Sequence, residues 1–425
     1  MRRLIPPLVA AFLLSSCLSG PSHVGAASPR EGTPITLGVK HTFHSTVLGE
    51  ERGFLVYLPP GYDTSSERYP VLYLLDGDAY FHHTTGVVRF LAESHRIPRM
   101  IVVGVSNTDR TRDFTPPVLA GFRRPGDTSQ RTVAELRPTA GGAERFLRFL
   151  EEELAPRIES RYRTQPYRIL VGHSLGGLFA VHTLMNHPRS FHAYVAISPS
   201  LWWNGNELVN GAVRSLERLP PQERFLYMSM GDESDDMLEP IQRLARTLEQ
   251  ARPERLVWRY SFLANDHHGS TPLRTLYDGL EALFEDWRIS EPIMRAGDLE
   301  KVEANYVRVA RRLGYEVRPP EELLSRMGYH LLESGKVDAA ITVFRRNVEL
   351  HGDSPIVHDG LGEALEAAGQ LDAALECYTL AIQRGIQTDR VHPAFQQHLE
   401  RVLRKLALQQ KEEGARGPED AAPSP

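Results

Sequence analysis

The chain has 425 residues, more than one ordinary domain needs and enough for a sizeable core with a smaller unit beside it. Charged residues make up 24%, hydrophobic residues 41% and the formal net charge is −5, which excludes a disordered chain and a dedicated nucleic-acid binder and makes a small molecule the expected partner. Two cysteines, Cys17 and Cys377, leave little scope for an intrachain disulfide, so stability must come from packing.

Met1-Arg2-Arg3 precedes the apolar stretch Leu4 to Leu14, interrupted by Pro6 and Pro7, in the charged-then-apolar order of a secretory signal. That stretch is too short to span a bilayer. It ends in Leu14-Ser15-Ser16-Cys17, which resembles the lipobox of bacterial lipoproteins and would make Cys17 the first mature, lipid-bearing residue. A cut after Ala26 or Ala27 would instead release a soluble secreted protein. Residues 18–33, rich in Gly, Ser, Pro and Ala, read as a flexible tether.

Residues 34–290 carry the strand signal. Phe54 to Leu58, Val71 to Leu75 and Met100 to Val105 are short runs of branched and aromatic residues bounded by Pro, Gly or Asp, and the last two read as strands buried on both faces. Between Gly142 and Arg161, Phe146, Phe149, Leu150, Leu154 and Ile158 share one helical stripe that faces a core. Then come Arg168 to Val171, a helix from about Leu175 to Asn186, and Ala193 to Ile197; strand, helix, strand implies a parallel sheet. Phe225 to Met230 and Leu256 to Phe262 add strands around a helix near Leu238 to Gln250. The expected fold is a doubly wound, mostly parallel α/β sheet with functional groups on loops at the carboxyl ends of its strands.

Residues 291–408 lose the strand signal and read as a small all-α domain. Gly335-Lys336-Val337-Asp338-Ala339-Ala340 recurs as Gly369-Gln370-Leu371-Asp372-Ala373-Ala374, and Phe344 as Tyr378, each at an offset of 34 residues. This resembles the tetratricopeptide repeat, a recognition module that would take a protein partner. Two repeats are few for an independent solenoid, so packing on the larger domain or extra capping helices is implied. Cys377 reads as a small buried hydrophobe on one of these helices, and residues 409–425 as a disordered tail.

Chemistry concentrates at three places. Gly172-His173-Ser174-Leu175-Gly176 fits G-x-S-x-G, with a strand running into it and an apolar helix leaving it, the context of a nucleophile elbow for Ser174. A serine hydroxyl needs a base, and in this chain order the base follows the last strand, where Asp266-His267-His268-Gly269 offers two histidines that position alone does not separate. The acid belongs between them, where Asp232, Glu233, Asp235 and Asp236 all qualify; Glu233 is the choice carried forward. Backbone N–H groups of Leu175 and of Asp78, in Asp76-Gly77-Asp78, are the expected oxyanion donors, with Gly77 supplying that loop's turn.

Taken together, these segments resemble the esterase family that includes siderophore (enterochelin-type) esterases and is related to feruloyl esterases and mycolyltransferases. The resemblance covers about residues 35–290. It rests on Leu48-Gly49-Glu50-Glu51-Arg52, Tyr57-Leu58-Pro59-Pro60-Gly61-Tyr62, Leu74-Leu75-Asp76-Gly77-Asp78, Arg112-Asp113-Phe114-Thr115-Pro116, the Gly172 to Gly177 elbow, Ser198 to Trp203 and His268-Gly269-Ser270. It implies an α/β-hydrolase fold and, because the base in similar proteins directly precedes Gly-Ser, favours His268. The acid is the least regular element of such families.

The implied activity is carboxylic-ester hydrolysis through an acyl-serine intermediate, without metal or organic cofactor. The leader and Cys17 would anchor the protein to a bacterial membrane facing the periplasm or cell exterior, or the alternative cut would leave it soluble, secreted or periplasmic. Acyl transfer by the same residues, or a scaffold acting through its repeats, are the alternatives. Arg110, Arg112 and Asp113 follow the strand ending at Val105, and Trp202 and Trp203 the strand ending at Ile197, so they would stand at the catalytic end and suit an anionic, ring-bearing acyl group; alternatively the arginines pair with loop carboxylates and the tryptophans only cover the core.

Overall fold

The computed structural model describes residues 33, 35–124 and 126–415. The proposed signal, Cys17 and nearly all of the tether lie outside the described residues. The chain divides between Thr36 and Leu37, and every strand and helix described belongs to the unit that begins at Leu37.

Eight strands form one sheet: β1 (Val39–Ser45), β2 (Glu50–Tyr57), β3 (Tyr69–Leu74), β4 (Ile101–Val105), β5 (Thr164–His173), β6 (Ala193–Ile197), β7 (Arg224–Gly231) and β8 (Leu256–Leu263). Their spatial order is β1-β2-β4-β3-β5-β6-β7-β8. β1 and β2 run antiparallel to their neighbours, and from β4 to β8 every pairing is parallel. β1 is not foreseen by the sequence reading. Its Val-Lys-His-Thr-Phe-His-Ser mixes polar with apolar residues because an edge strand buries little of itself.

β3 and β4 are buried along their whole lengths. Alternate residues of the central strands enter two cores, Tyr73, Val103, Leu170 and Met228 on one face and Leu72, Val102, Ile169 and Tyr227 on the other. The stripe from Gly142 to Arg161 is not one helix. It opens as Ala143–Arg148, widens into a π-helical turn at Phe149–Leu154 and resumes as Ala155–Arg161. Pro156 has no N–H to give the regular ladder at that point, which accounts for the interruption.

Beyond the sheet the chain is helical. Glu321–Glu333 and Val337–His351 recur as Pro355–Ala367 and Leu371–Gln387, with helix starts displaced by 34 residues. The repeat is a packing unit: a Cβ on Gly328 would sit 2.6 Å from the Phe344 ring, and one on Gly362 would sit 2.6 Å from the Tyr378 ring. Cys377 is buried beside Tyr378, and burial pushes its thiol up to about 11. The last helix, Pro393–Ala415, extends through the start of the expected tail at residue 409.

The boundary expected near residue 290 is shared rather than clean. On the helix Leu299–Leu313, Val302 and Tyr306 join the core of the helical region, whereas Val309 and Leu313 join the core beneath the sheet. Arg99 pairs with Glu322 across the same junction. No helix among the described residues is long and apolar enough to cross a membrane.

Candidate active site

Ser174 stands at the carboxyl end of β5, at φ 60° and ψ −114°, between the strand and the helix Leu175–Asn186. This is a strained position for a residue with a side chain. The turn closes because Gly172 has no Cβ, which would lie 2.2 Å from the Gly176 carbonyl oxygen. Ser174 N–H donates to the Ile197 carbonyl at 2.9 Å, and Ser200 N–H donates to the Ser174 carbonyl at 3.1 Å, locking the turn to the end of β6. Ser174 Oγ meets Ser200 Oγ at 3.5 Å. A hydrogen bond from Ser174 to His268 is not formed among the described residues; such bonds commonly tighten only along the reaction path.

β7 and β8 pair in register from Arg224↔Leu256 to Gly231↔Leu263, so their following loops leave the sheet side by side. Asp232 N–H donates to the Asp266 carbonyl at 2.6 Å. Glu233 then lies beside His268, with Oε2 2.6 Å from Nδ1. Its other oxygen accepts from Ser198 Oγ at 2.6 Å and from Gly231 N–H at 3.3 Å. Burial alone would raise the Glu233 carboxyl, but the His268 and Ser198 hydrogen bonds outweigh it and hold the group below its ordinary range. Asp236 turns away to Arg124 and Ser234. His267 accepts from Gly269 N–H at 3.1 Å and caps its own turn.

Leu175 is the first residue of the elbow helix and Asp78 the second of the helix Gly77–Glu93, positions whose N–H groups have no intrahelical acceptor. The two helix starts adjoin, since a Cβ on Gly176 would lie 3.5 Å from both Asp76 Oδ2 and Leu75 Cβ. Two positive helix ends thus converge beside Ser174. The turn itself differs from expectation. Asp76 takes the left-handed conformation at φ 55°, while Gly77 is required because a Cβ there would come within 2.5 Å of the Gly104 backbone.

Arg112 and the two tryptophans are placed differently from the expected acyl pocket. The Arg112 fork is filled by both Glu50 oxygens and by Asp113, and Asp113 in turn accepts from the fully buried Arg52 at 2.7 Å. Two segments that carry the family resemblance are thereby joined in one ion cluster. Trp202 and Trp203 are 3% and 2% exposed, with Phe122 and the Arg124 guanidinium over the first and the Pro116 carbonyl accepting from the second. Desolvation of the indoles and neutralisation of Arg112 correct the substrate-binding expectation for all three.

Arg110 is the arginine at the elbow. It grips Asp76 through two bonds of 2.7 and 3.0 Å and donates to the His173 carbonyl at 2.9 Å. Arg137, half-buried, has no carboxylate partner among the described residues; burial, followed by the nearby Arg124 and Arg110 charges, pushes its guanidinium down. Sequence reasoning also assigns no role to Tyr80, to His173 at a free position of the elbow motif, or to Ser198 at the start of a segment that carries the resemblance. Tyr80 OH lies 2.9 Å from His173 Nδ1, and His173 Nε2 lies 2.8 Å from the His268 carbonyl oxygen.

Two other groups bring metal-ligating atoms within 4.8 Å of one another, Glu144 with His182 and His187, and Asp359 with Glu363 and His398. In each the imidazole nitrogens already lie 2.8–3.2 Å from the carboxylate oxygens.

Residues 45–271 match the profile of the Esterase family. Over 167 residues the chain is 36% identical to the ferri-bacillibactin esterase BesA of Bacillus subtilis, covering 36% of this chain and 56% of that one. The chain therefore spans little more than half the length of that relative. Over 210 residues it is 34% identical to a siderophore enterobactin esterase of Emericella nidulans, covering 43% of this chain and 67% of the other. Among solved structures, an IroE-like serine hydrolase from Shewanella oneidensis superposes with a TM-score of 0.64 at 29% identity, covering 74% of this chain and 99% of that one.

Proposed function

Because this chain belongs to the Esterase family, we propose that it is a serine carboxylic-ester hydrolase working through an acyl-serine intermediate. Ser174 attacks the ester carbonyl, His268 takes its proton and later returns it to the leaving alcohol, and Glu233 holds the imidazole with its Nε2 lone pair free. Leu175 and Asp78 N–H groups receive the oxyanion. Water then releases the acid. The observation that carries this reading is the 2.6 Å contact between Glu233 Oε2 and His268 Nδ1 beside a strained serine turn.

The substrate we propose is an anionic, ring-bearing acyl ester of the siderophore type. The names of the two curated relatives support the siderophore type, and Arg137, without a carboxylate partner among the described residues and close enough to feel the Arg110 charge at the elbow, is the candidate for the anionic group. The 34-residue helix repeat with its glycine-and-ring pairs supports a tetratricopeptide-like unit for a protein partner. Cys17 after the apolar leader supports a lipid-anchored, exported protein, which membrane fractionation of Cys17→Ser against the parent would test.

The deciding experiment is an ester panel combined with a fluorophosphonate label. Ser174→Ala should keep the melting curve, lose the label and lose nearly all turnover. Near-parental turnover by the folded variant would remove the proposal.

A further inference from the structure

β5, which presents Ser174, and β8, which leads to His268, are separated in the sheet by β6 and β7, so no strand ladder joins them directly. Side-chain contact closes the gap. His173, next to the nucleophile in the chain, reaches the His268 carbonyl oxygen with Nε2 at 2.8 Å, while its Nδ1 lies 2.9 Å from Tyr80 OH. Its ring also packs against the His268 ring at a centroid distance of 4.5 Å.

These two contacts admit one proton arrangement. The His268 carbonyl can only accept, so His173 Nε2 must carry the hydrogen. A neutral imidazole then has a lone pair on Nδ1, and Tyr80 OH must donate to it. Tyr80 stays a donor, because burial, with the Asp76 charge adding, raises its phenol. Burial, and after it the neighbouring His268, drives the His173 imidazole down to about 4, with Arg110 pushing the same way and Asp76 opposing.

We propose that His173 is a positioning residue for ester hydrolysis, a single-tautomer clamp set by Tyr80 that fixes the main chain of the base to the strand end of the nucleophile. The proposal rests on the assignment of Ser174 and His268 as nucleophile and base. Glu233 fixes the His268 ring at Nδ1, but a ring held at one end can still ride on its loop. The carbonyl grip, shared with Thr271 Oγ1 at 3.1 Å, removes that freedom. Staying neutral also matters, because a charged imidazole packed against His268 would oppose the imidazolium that forms there in the reaction. His83, on the same helix as Tyr80, packs on the Tyr80 ring with centroids 5.4 Å apart.

Amide isosteres test the clamp. In His173→Gln the amide nitrogen falls where Nε2 was and can still donate to the His268 carbonyl, whereas in His173→Asn it falls where Nδ1 was and cannot. The expected result is kcat within about threefold of the parent for Gln and reduced about tenfold to a hundredfold for Asn, with KM nearly unchanged and fluorophosphonate labelling slowed in parallel. Tyr80→Phe, which leaves Nδ1 without its donor and so weakens the preference for Nε2–H without touching the elbow, should lower kcat by about fivefold. Equal losses for Gln and Asn, or a parental kcat in Tyr80→Phe, would overturn the clamp. If His173→Asn fails to melt cooperatively, Tyr80→Phe and the Gln variant decide. Ser174→Ala in the same assay keeps the two hypotheses apart: turnover there defeats the esterase reading itself, whereas its absence beside unaffected clamp variants defeats only the clamp.

Discussion

Glu233→Gln is the sharpest probe of the acid, because the surroundings dictate how the new amide must point. One carboxylate oxygen accepts from Ser198 Oγ at 2.6 Å and from Gly231 N–H at 3.3 Å; the other faces His268 Nδ1 at 2.6 Å. The backbone N–H cannot rotate away, so the amide oxygen must stay on the Ser198 side and the NH2 must face His268. Two donors cannot face each other, and the imidazole is driven to carry its hydrogen on Nε2. That nitrogen can then no longer take the Ser174 proton. Loss of the correct tautomer in a serine triad costs about 10⁴ in kcat, equivalent to about 5 kcal/mol at the transition state. Steady-state turnover of an aryl ester measures it, with melting curves to show that the fold persists. A kcat within about tenfold of the parent would refute the tautomer argument and leave Ser174 and His268 acting as a pair.

Three further outcomes follow from the same geometry. His173 and His192 are both held down to about 4, chiefly by burial, so the folded state binds fewer protons than the unfolded chain. Their stabilisation is complete above the unfolded histidine value of about 6.5 and is lost as pH falls from there toward 4, by at most about 3 kcal/mol each, which denaturant titrations across that window would register. Arg137→Ala should lower kcat/KM about fivefold or more for carboxylate-bearing aromatic esters and leave neutral esters of equal size unaffected; equal losses on both would remove Arg137 from substrate recognition. Deleting residues 320–425 should lower the melting temperature but keep small-ester turnover. Deletion from 291 should cost about 3 kcal/mol more, since Val309 and Leu313 leave the core beneath the sheet; equal stability of the two truncations would contradict a shared helix.

Much of the fold is legible because central strands such as Val71 to Leu74 and Ile101 to Val105 are apolar at every position, a pattern that burial on both faces requires. The Ser174 turn is legible for a related reason, since its glycines answer to a crowding that any sequence making this turn must relieve. The 34-residue repeat is legible because each Gly328 or Gly362 needs a ring at Phe344 or Tyr378 to fill the space it leaves. What composition conceals is whether a charged or aromatic residue on a loop is free. Arg110 and Arg112 are two residues apart and alike in type, yet one grips Asp76 beside the elbow and the other is absorbed by Glu50 and Asp113. Their difference lies in Asp76 and Glu50, both distant in the chain, which no local pattern records.

Choosing among Asp232, Glu233, Asp235 and Asp236 is a problem of the same kind, with a more exact answer. The acid must reach an imidazole carried by a different loop, so the choice depends on where β7 and β8 end relative to each other. Their register brings Gly231 opposite Leu263, and a Cβ on Gly231 would stand 2.5 Å from the Asp266 carbonyl oxygen. The loops therefore touch at Gly231, and the main chain of Asp232 ties them through its N–H bond to Asp266 while its side chain is exposed. Glu233 is the first residue past that tie, and Ser198 and Gly231 hold its carboxylate in place. Asp235 and Asp236 already belong to the helix Asp235–Ala251, and Asp236 is held by Arg124. A shift of one residue in the β7–β8 register would move the tie and reassign the acid. Register across two strands more than twenty residues apart is a property of the folded sheet, and it is the physical reason the four carboxylates look equivalent in sequence.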